Sequence, residues 1–169
     1  LGSFVFWKEE LVISKFRKEI DSFIPLIFTA SRDGTVKIID LESEKQSHVF
    51  YNKTPVNDIF VADNKIVAAL DNGNINIWDL KSKKLHFKIR AHSSSVKSVF
   101  VENNKLVSGS YDGTVKMWDL MTGALLKEVS GPGGAVLDVF MSDNKVASIS
   151  ELGVSIWDIK SNDKINIKI

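Results

Sequence analysis

Cysteine is absent from this 169-residue chain, which excludes disulfides, thiolate metal sites and thiol nucleophiles. A reducing, intracellular setting, cytoplasmic or nuclear, is the expectation that follows. Arginine is scarce: Arg17, Arg32 and Arg90 stand far apart, leaving no arginine cluster for bidentate recognition of phosphopeptides. Net charge is +1, from 22 basic and 21 acidic residues, so no global field draws the chain to nucleic acid or an anionic membrane. No apolar run approaches the roughly 20 residues that span a bilayer. The N-terminus has no basic segment followed by a long apolar core, so no leader is expected. Helical periodicity is nearly missing as well. Apart from a weak stretch from Glu9 to Ile20, no segment repeats apolar residues at i, i+3, i+4 and i+7. With 44% hydrophobic and 25% charged residues, the composition is that of a folded, soluble domain.

What the chain has instead is a period. Val56, Val96 and Val136 stand 40 residues apart, as do Phe60, Phe100 and Phe140, and Asn64, Asn104 and Asn144. Each unit closes on a matching tail: Ile77-Trp78-Asp79-Leu80, Met117-Trp118-Asp119-Leu120 and Ile156-Trp157-Asp158-Ile159, with a degenerate copy at Ile38-Ile39-Asp40-Leu41. The third unit reads as four short strands: Ser95 to Val101, Lys105 to Ser110, Thr114 to Asp119 and Ala124 to Val129. Asn103-Asn104 and its equivalents Asp63-Asn64 and Asp143-Asn144 suit the left-handed backbone of a tight hairpin. Asp112-Gly113, Asp33-Gly34 and Asn72-Gly73 mark a second hairpin, from which the fourth unit departs with Glu151-Leu152-Gly153. Counting one period back from Val56, Ile59 and Phe60 meets Phe16, Glu19 and Ile20, which do not copy the pattern, so the first innermost strand is divergent or displaced by an insertion. The expected layout there is a strand, then a long connection from Arg17 to Pro25 into Leu26-Ile27-Phe28.

A period of about 40 to 45 residues with a terminal Trp-Asp signals four-stranded propeller blades. In the Trp-Asp tails, the Asp-Gly turns and Ala91-His92, the chain resembles the Trp-Asp (WD) repeat family of β-propellers from Leu26 to Ile169. The resemblance implies an all-β fold of four-stranded antiparallel blades. About four repeats are present: 8–41, 42–80, 81–120 and 121–159, with 160–169 as a trailing outer strand of a single propeller segment spanning 1–169. It implies that Lys164 to Ile169 follow Trp157-Asp158 as an outer strand, and that Phe4 to Trp7 are one left from a preceding blade. The family most often builds seven blades, about 280 residues. The segment is therefore expected to be part of a larger ring, completed by the same protein or by another chain.

Blades of this family carry a buried relay of His, Ser or Thr, Asp and Trp, and the resemblance places it at His92, Ser108, Asp112 and Trp118. The other units are poorer copies. The second has Ala68 and Asn72 and keeps only Trp78. The first keeps Thr29 and Asp33 but has Ile39. The fourth keeps Trp157 but has Ala147 and Glu151.

A His-Ser-Asp set invites comparison with a nucleophilic triad. Its spacing fits the structural relay, its Ser lies in a strand expected to be buried, and no glycine-rich elbow accompanies it, so no catalytic residue is assigned. Ser130-Gly131-Pro132-Gly133-Gly134 lacks the helix and Lys-Ser/Thr of a phosphate loop and reads as a connection between blades. His48 and His86 are expected in outer strands, and no His/Asp/Glu cluster has metal-ligand spacing, so no metal or cofactor is assigned. Among carboxylates, Asp58, Asp71, Asp138 and Glu151 are available, but the sequence brings no two of them together. The Asn52-Lys53-Thr54 triplet fits a glycan acceptor pattern of the kind that arises by chance.

The expected function is a non-catalytic scaffold that docks partner proteins on one rim of the propeller, within a multiprotein complex. The resemblance puts on that rim the residue before each relay Asp, namely Arg32, Asp71, Tyr111 and Ser150, and the residue opening each innermost strand, Pro55, Ser95 and Ala135. Tyr and Arg are enriched among interface hot spots, which singles out Tyr111 and Arg32. Alternative expectations are a substrate receptor of a ubiquitin ligase and a structural subunit of an RNA-processing or ribosome-assembly complex. Membrane binding and sequence-specific nucleic-acid reading are not expected.

Overall fold

The computed structural model describes residues 11–17 and 26–168. Those residues form four antiparallel sheets, each a simple meander of four consecutive strands. Blade 1 contains β1 (Leu11–Arg17), β2 (Leu26–Ser31), β3 (Thr35–Asp40) and β4 (Lys45–Tyr51). Blade 2 contains β5 (Val56–Ala62), β6 (Lys65–Leu70), β7 (Asn74–Asp79) and β8 (Leu85–Arg90). Blade 3 contains β9 (Val96–Glu102), β10 (Lys105–Ser110), β11 (Thr114–Asp119) and β12 (Leu125–Ser130). Blade 4 contains β13 (Val136–Ser142), β14 (Lys145–Ser150), β15 (Gly153–Asp158) and β16 (Lys164–Lys168). Each sequence repeat straddles two sheets, because the strand after a Trp-Asp tail is the outer strand of the blade just completed. Phe4 to Trp7, the connection 18–25 and Ile169 lie outside the described residues.

The turns explain both the regular spacing and its exceptions. Two-residue hairpins join the first and second strands of blades 2, 3 and 4, with φ of 47° and 61° at Asp63 and Asn64, 48° and 62° at Asn103 and Asn104, and 50° and 66° at Asp143 and Asn144. Short Asp and Asn side chains tolerate that left-handed backbone. The first innermost strand starts at Leu11 and its partner only at Leu26, so an insertion at 18–25 displaces it from the period. In blade 4 a shorter turn, Glu151-Leu152 before Gly153, drops one residue and gives the 39-residue step between Asp119 and Asp158.

The core lies between blades. Blades 1 and 2 enclose Phe28, Phe50, Ile59, Ile66 and Leu70; blades 2 and 3 enclose Ile75, Ile77, Val99, Leu106 and Leu120; blades 3 and 4 enclose Val107, Met117, Val139 and Met141. Each fully buried Ile or Leu contributes about 1.5–3 kcal/mol. No blade has a core of its own, so each depends on its neighbours. Along the inner strands Phe60, Phe100 and Phe140 form a ladder, with ring centroids 4.8 and 4.7 Å apart. Ser98 ties the same strands together: its hydroxyl reaches Asp138 Oδ1 at 2.6 Å and Asp58 Oδ2 at 3.2 Å. Asp58 Oδ2 also accepts the Val99 amide at 2.9 Å. The structure therefore brings together two carboxylates that the sequence left apart, and it uses them as struts.

Candidate partner-binding rim and the relay beneath it

His92 sits on the loop between β8 and β9, and its amide donates to Gly73 O of blade 2 at 2.9 Å. Its ring belongs to blade 3, where Nδ1 lies 3.0 Å from Asp112 Oδ2 and Nε2 lies 2.8 Å from Ser108 Oγ. An ionised carboxylate only accepts, so Nδ1 carries the proton and Nε2 accepts from the Ser108 hydroxyl. Trp118 Nε1 donates to the same Ser108 oxygen at 2.9 Å, completing a chain from Trp118 through Ser108 and His92 to Asp112. Burial lowers the His92 pKa, opposed by the Asp112 charge, so the ring is held neutral. Asp112 is lowered to about 2: burial opposes the shift, but the Thr114 hydroxyl and amide, His92 and the Ser93 amide outweigh it. Ser108 is 0% exposed and its oxygen is shared by two ring systems, so it is a strut, not a nucleophile open to substrate.

Blade 2 builds a substitute that the sequence reading missed. Asn52 takes the place of His92: its Oδ1 accepts from Asn76 Nδ2 at 2.9 Å and Trp78 Nε1 at 3.2 Å. Its Nδ2 donates to Gly34 O of blade 1 at 3.3 Å. The signal was present, since Asn52 stands one period before His92. Asn52 is buried, so its amide nitrogen is committed to the fold and closed to a glycan. Asn76 Oδ1 is, among the described residues, a buried acceptor without a partner.

Pairing revises the assignments in blade 4. Ser148 pairs with Val139 as Ser108 pairs with Val99, so Ser148, not Ala147, holds the relay serine position. Ser150 pairs with Val136 as Ser110 pairs with Val96, and its hydroxyl accepts the Leu152 amide as Ser110 accepts that of Asp112. Ser150 is therefore a buried turn residue; Glu151 stands at the register of Tyr111, and Leu152 at that of Asp112. The shortened turn shifted the count by one.

The rim strip that the structure does assemble crosses blades 1 to 3. Asp71 Oδ1 accepts the Ser95 hydroxyl at 2.8 Å and Asn57 Nδ2 at 3.3 Å. Its pKa is lowered first by the Ser95 hydroxyl, against burial, then by the Asn57 amide and the charges of Lys97 and Arg32. Lys97 Nζ lies 4.6 Å from the ring centroid of Tyr111, which is 49% exposed. Lys97 and Tyr111 are thus paired on this rim, and Arg32 and Lys97 both stand near enough to Asp71 for their charges to act on it. Ser95 is buried as the support of Asp71, and Pro55 and Ala135 are half-buried beside the turns. Asn57 and Lys97 went unnoticed, although they follow Val56 and Val96 at the same 40-residue spacing.

The glycine-rich loop joins β12 to β13, and the carbonyls of Ser130 and Gly131 accept from Lys164 Nζ at 2.6 and 3.1 Å. Carbonyls turned toward a cation are the wrong polarity for a phosphate cradle. Among the described residues no group of three or more His, Cys, Asp or Glu is placed to hold a metal ion.

Residues 83–119, which supply β8 to β11, match the family described as WD domain, G-beta repeat. That stretch is a WD-repeat match, and the described sheets have the four-stranded blade fold of a propeller. Among solved structures, the blades superpose on the computationally designed Ika4 protein with TM-score 0.75 and 27% identity, covering 79% of this chain and 85% of that one. The RRP9 WD40 repeats give TM-score 0.79 at 16% identity, over 99% of this chain and 56% of theirs. A chain of the Mitotic Checkpoint Complex gives 0.78 at 18%, over 85% and 47%. These last two likenesses speak to fold alone, and the chain spans about half of each. No curated protein sequence matches the chain.

Proposed function

We propose that this propeller segment is a non-catalytic docking scaffold, and that the rim carrying Arg32, Asp71, Lys97 and Tyr111 is where a partner protein binds. The observation that carries this reading is Tyr111, half exposed on a rigid turn, with a lysine ammonium over its ring. Tyrosine offers a large contact area at low entropic cost, and a fixed turn lowers the ordering penalty of binding. Alternating positive, negative and aromatic groups suit a mixed polypeptide segment better than a single charged ligand. The fold supports the scaffold class, since WD propellers generally serve as interaction platforms, and one structural neighbour is a chain of a multiprotein complex. The setting we propose is intracellular.

Affinity capture with mass spectrometry tests the reading, comparing the unaltered protein with an Arg32→Ala, Tyr111→Ala variant whose circular dichroism is unchanged. Loss of partners with the double change is the expected result. Retention of the same partners at the same yield would place binding elsewhere.

A further inference from the structure

Blades 2 and 3 carry different residues at three equivalent rim positions, and the difference leaves donors unused. In blade 2 the positions hold Asn57, Asp71 and, just before the next inner strand, Ser95. Those three close on one another. Asn57 Nδ2 donates to Ser95 Oγ and to Val96 O, each at 2.9 Å, and the Ser95 hydroxyl donates to Asp71 Oδ1 at 2.8 Å. One period later the same positions hold Lys97, Tyr111 and Ala135. Lys97 follows Val96 as Asn57 follows Val56, and Ala135 precedes Val136 as Ser95 precedes Val96. The Tyr111 amide donates to Ser95 O as the Asp71 amide donates to Pro55 O.

The blade 3 set cannot close in the same way, because Ala135 has no hydroxyl and Tyr111 no carboxylate. The Lys97 ammonium instead meets the Tyr111 ring, 4.6 Å from its centroid. Neither that ammonium nor the Tyr111 hydroxyl has a hydrogen-bond acceptor among the described residues. The cation–π contact holds the ammonium at the rim before any ligand arrives, which lowers the ordering cost of binding. The surroundings favour an anion. Arg32, exposed at the same turn position of blade 1, and Lys97 both act on Asp71, so two cations stand against one carboxylate, and its Oδ1 is already taken by Ser95 and Asn57.

We propose that Lys97 and Tyr111 together bind one acidic side chain, Asp or Glu, of the partner polypeptide. The ammonium supplies the opposite charge and the phenol a second donor, the pair that an ionised carboxylate accepts. A single lysine is a point charge without the fork that arginine offers a phosphate, so one carboxylate matches it. The inference rests on the rim reading above and adds the chemistry of the ligand.

A phage-displayed library of random short peptides, fused at their C-termini so that no free α-carboxylate is present, is the probe. Peptides whose capture is lost with Tyr111→Ala are expected to share an Asp or Glu. Fluorescence anisotropy on synthetic copies with amidated C-termini then measures affinity. Lys97→Met is expected to weaken binding at least about tenfold, changing the peptide's acid to Asn or Gln by the same factor, and the two changes together by no more than either alone. Tyr111→Phe keeps the ring, does not depend on the Lys97 variant folding, and is expected to cost roughly threefold. Tyr111-dependent peptides that share no acid, or whose acid is indifferent to both Lys97→Met and Tyr111→Phe, overturn the inference and leave the rim reading standing. A library that yields no peptide dependent on Arg32 or Tyr111 overturns both.

Discussion

At the scale of single residues, Ser108 carries more than its size suggests. Replacing it with Ala strips an acceptor from Trp118 Nε1 and a donor from His92 Nε2, both in a dry site. A buried group left without its partner costs about 1–3 kcal/mol, so Ser108→Ala is expected to destabilise by roughly 2–3 kcal/mol in urea unfolding. The relay also sets a pH dependence. His92 has its folded pKa lowered, so the unfolded chain takes up the proton first and stability falls as pH drops below about 6.5. Asp112, held at about 2, adds a second loss of stability between roughly pH 4 and pH 2. Melting temperatures of the protein and of His92→Asn between pH 7 and pH 5 check the first step, which is expected to flatten in the variant. Position 92 was legible because its ring chemistry is distinctive, whereas Asn52 was not. An amide stands in for an imidazole only when the neighbouring Asn76 and Trp78 point at it, and pointing is a property of the packed blade.

At the scale of strands and turns, the period told almost everything, because a hairpin's length fixes register and a propeller repeats its hairpins. The strands of blade 3 fall within a residue of their expected bounds. Reading failed where an element changed length. A one-residue deletion between β14 and β15 moved the blade 4 assignments to Ala147, Ser150 and Glu151, and only strand pairing restored them to Ser148, Glu151 and Leu152. Gly109 gives the prediction that belongs at this scale. Its hydrogen faces Val136 and Val139 across the blade 3–blade 4 junction, so Gly109→Val is expected to wedge the two sheets apart. Such overpacking costs typically about 1–3 kcal/mol, measurable as a lower urea midpoint, whereas the same change on an exposed strand position would be nearly neutral.

At the scale of the whole molecule, four blades share their cores in sequence. Because the cores are shared between neighbours, the blades are expected to unfold together, with tryptophan fluorescence and circular dichroism giving the same urea midpoint. The sequence by itself determined the class of fold, the number of repeats and the one complete relay. Those follow from local rules: alternation for strands, Asn and Gly for turns, and a recurring Trp-Asp tail. Tertiary structure decided which residues meet across blades. The joining of Asp58 to Asp138 through Ser98 and the stacking of Phe60, Phe100 and Phe140 both depend on distances between residues 40 positions apart. A repeat pattern shows that such residues are equivalent; only the angle and spacing at which blades pack can show that they touch.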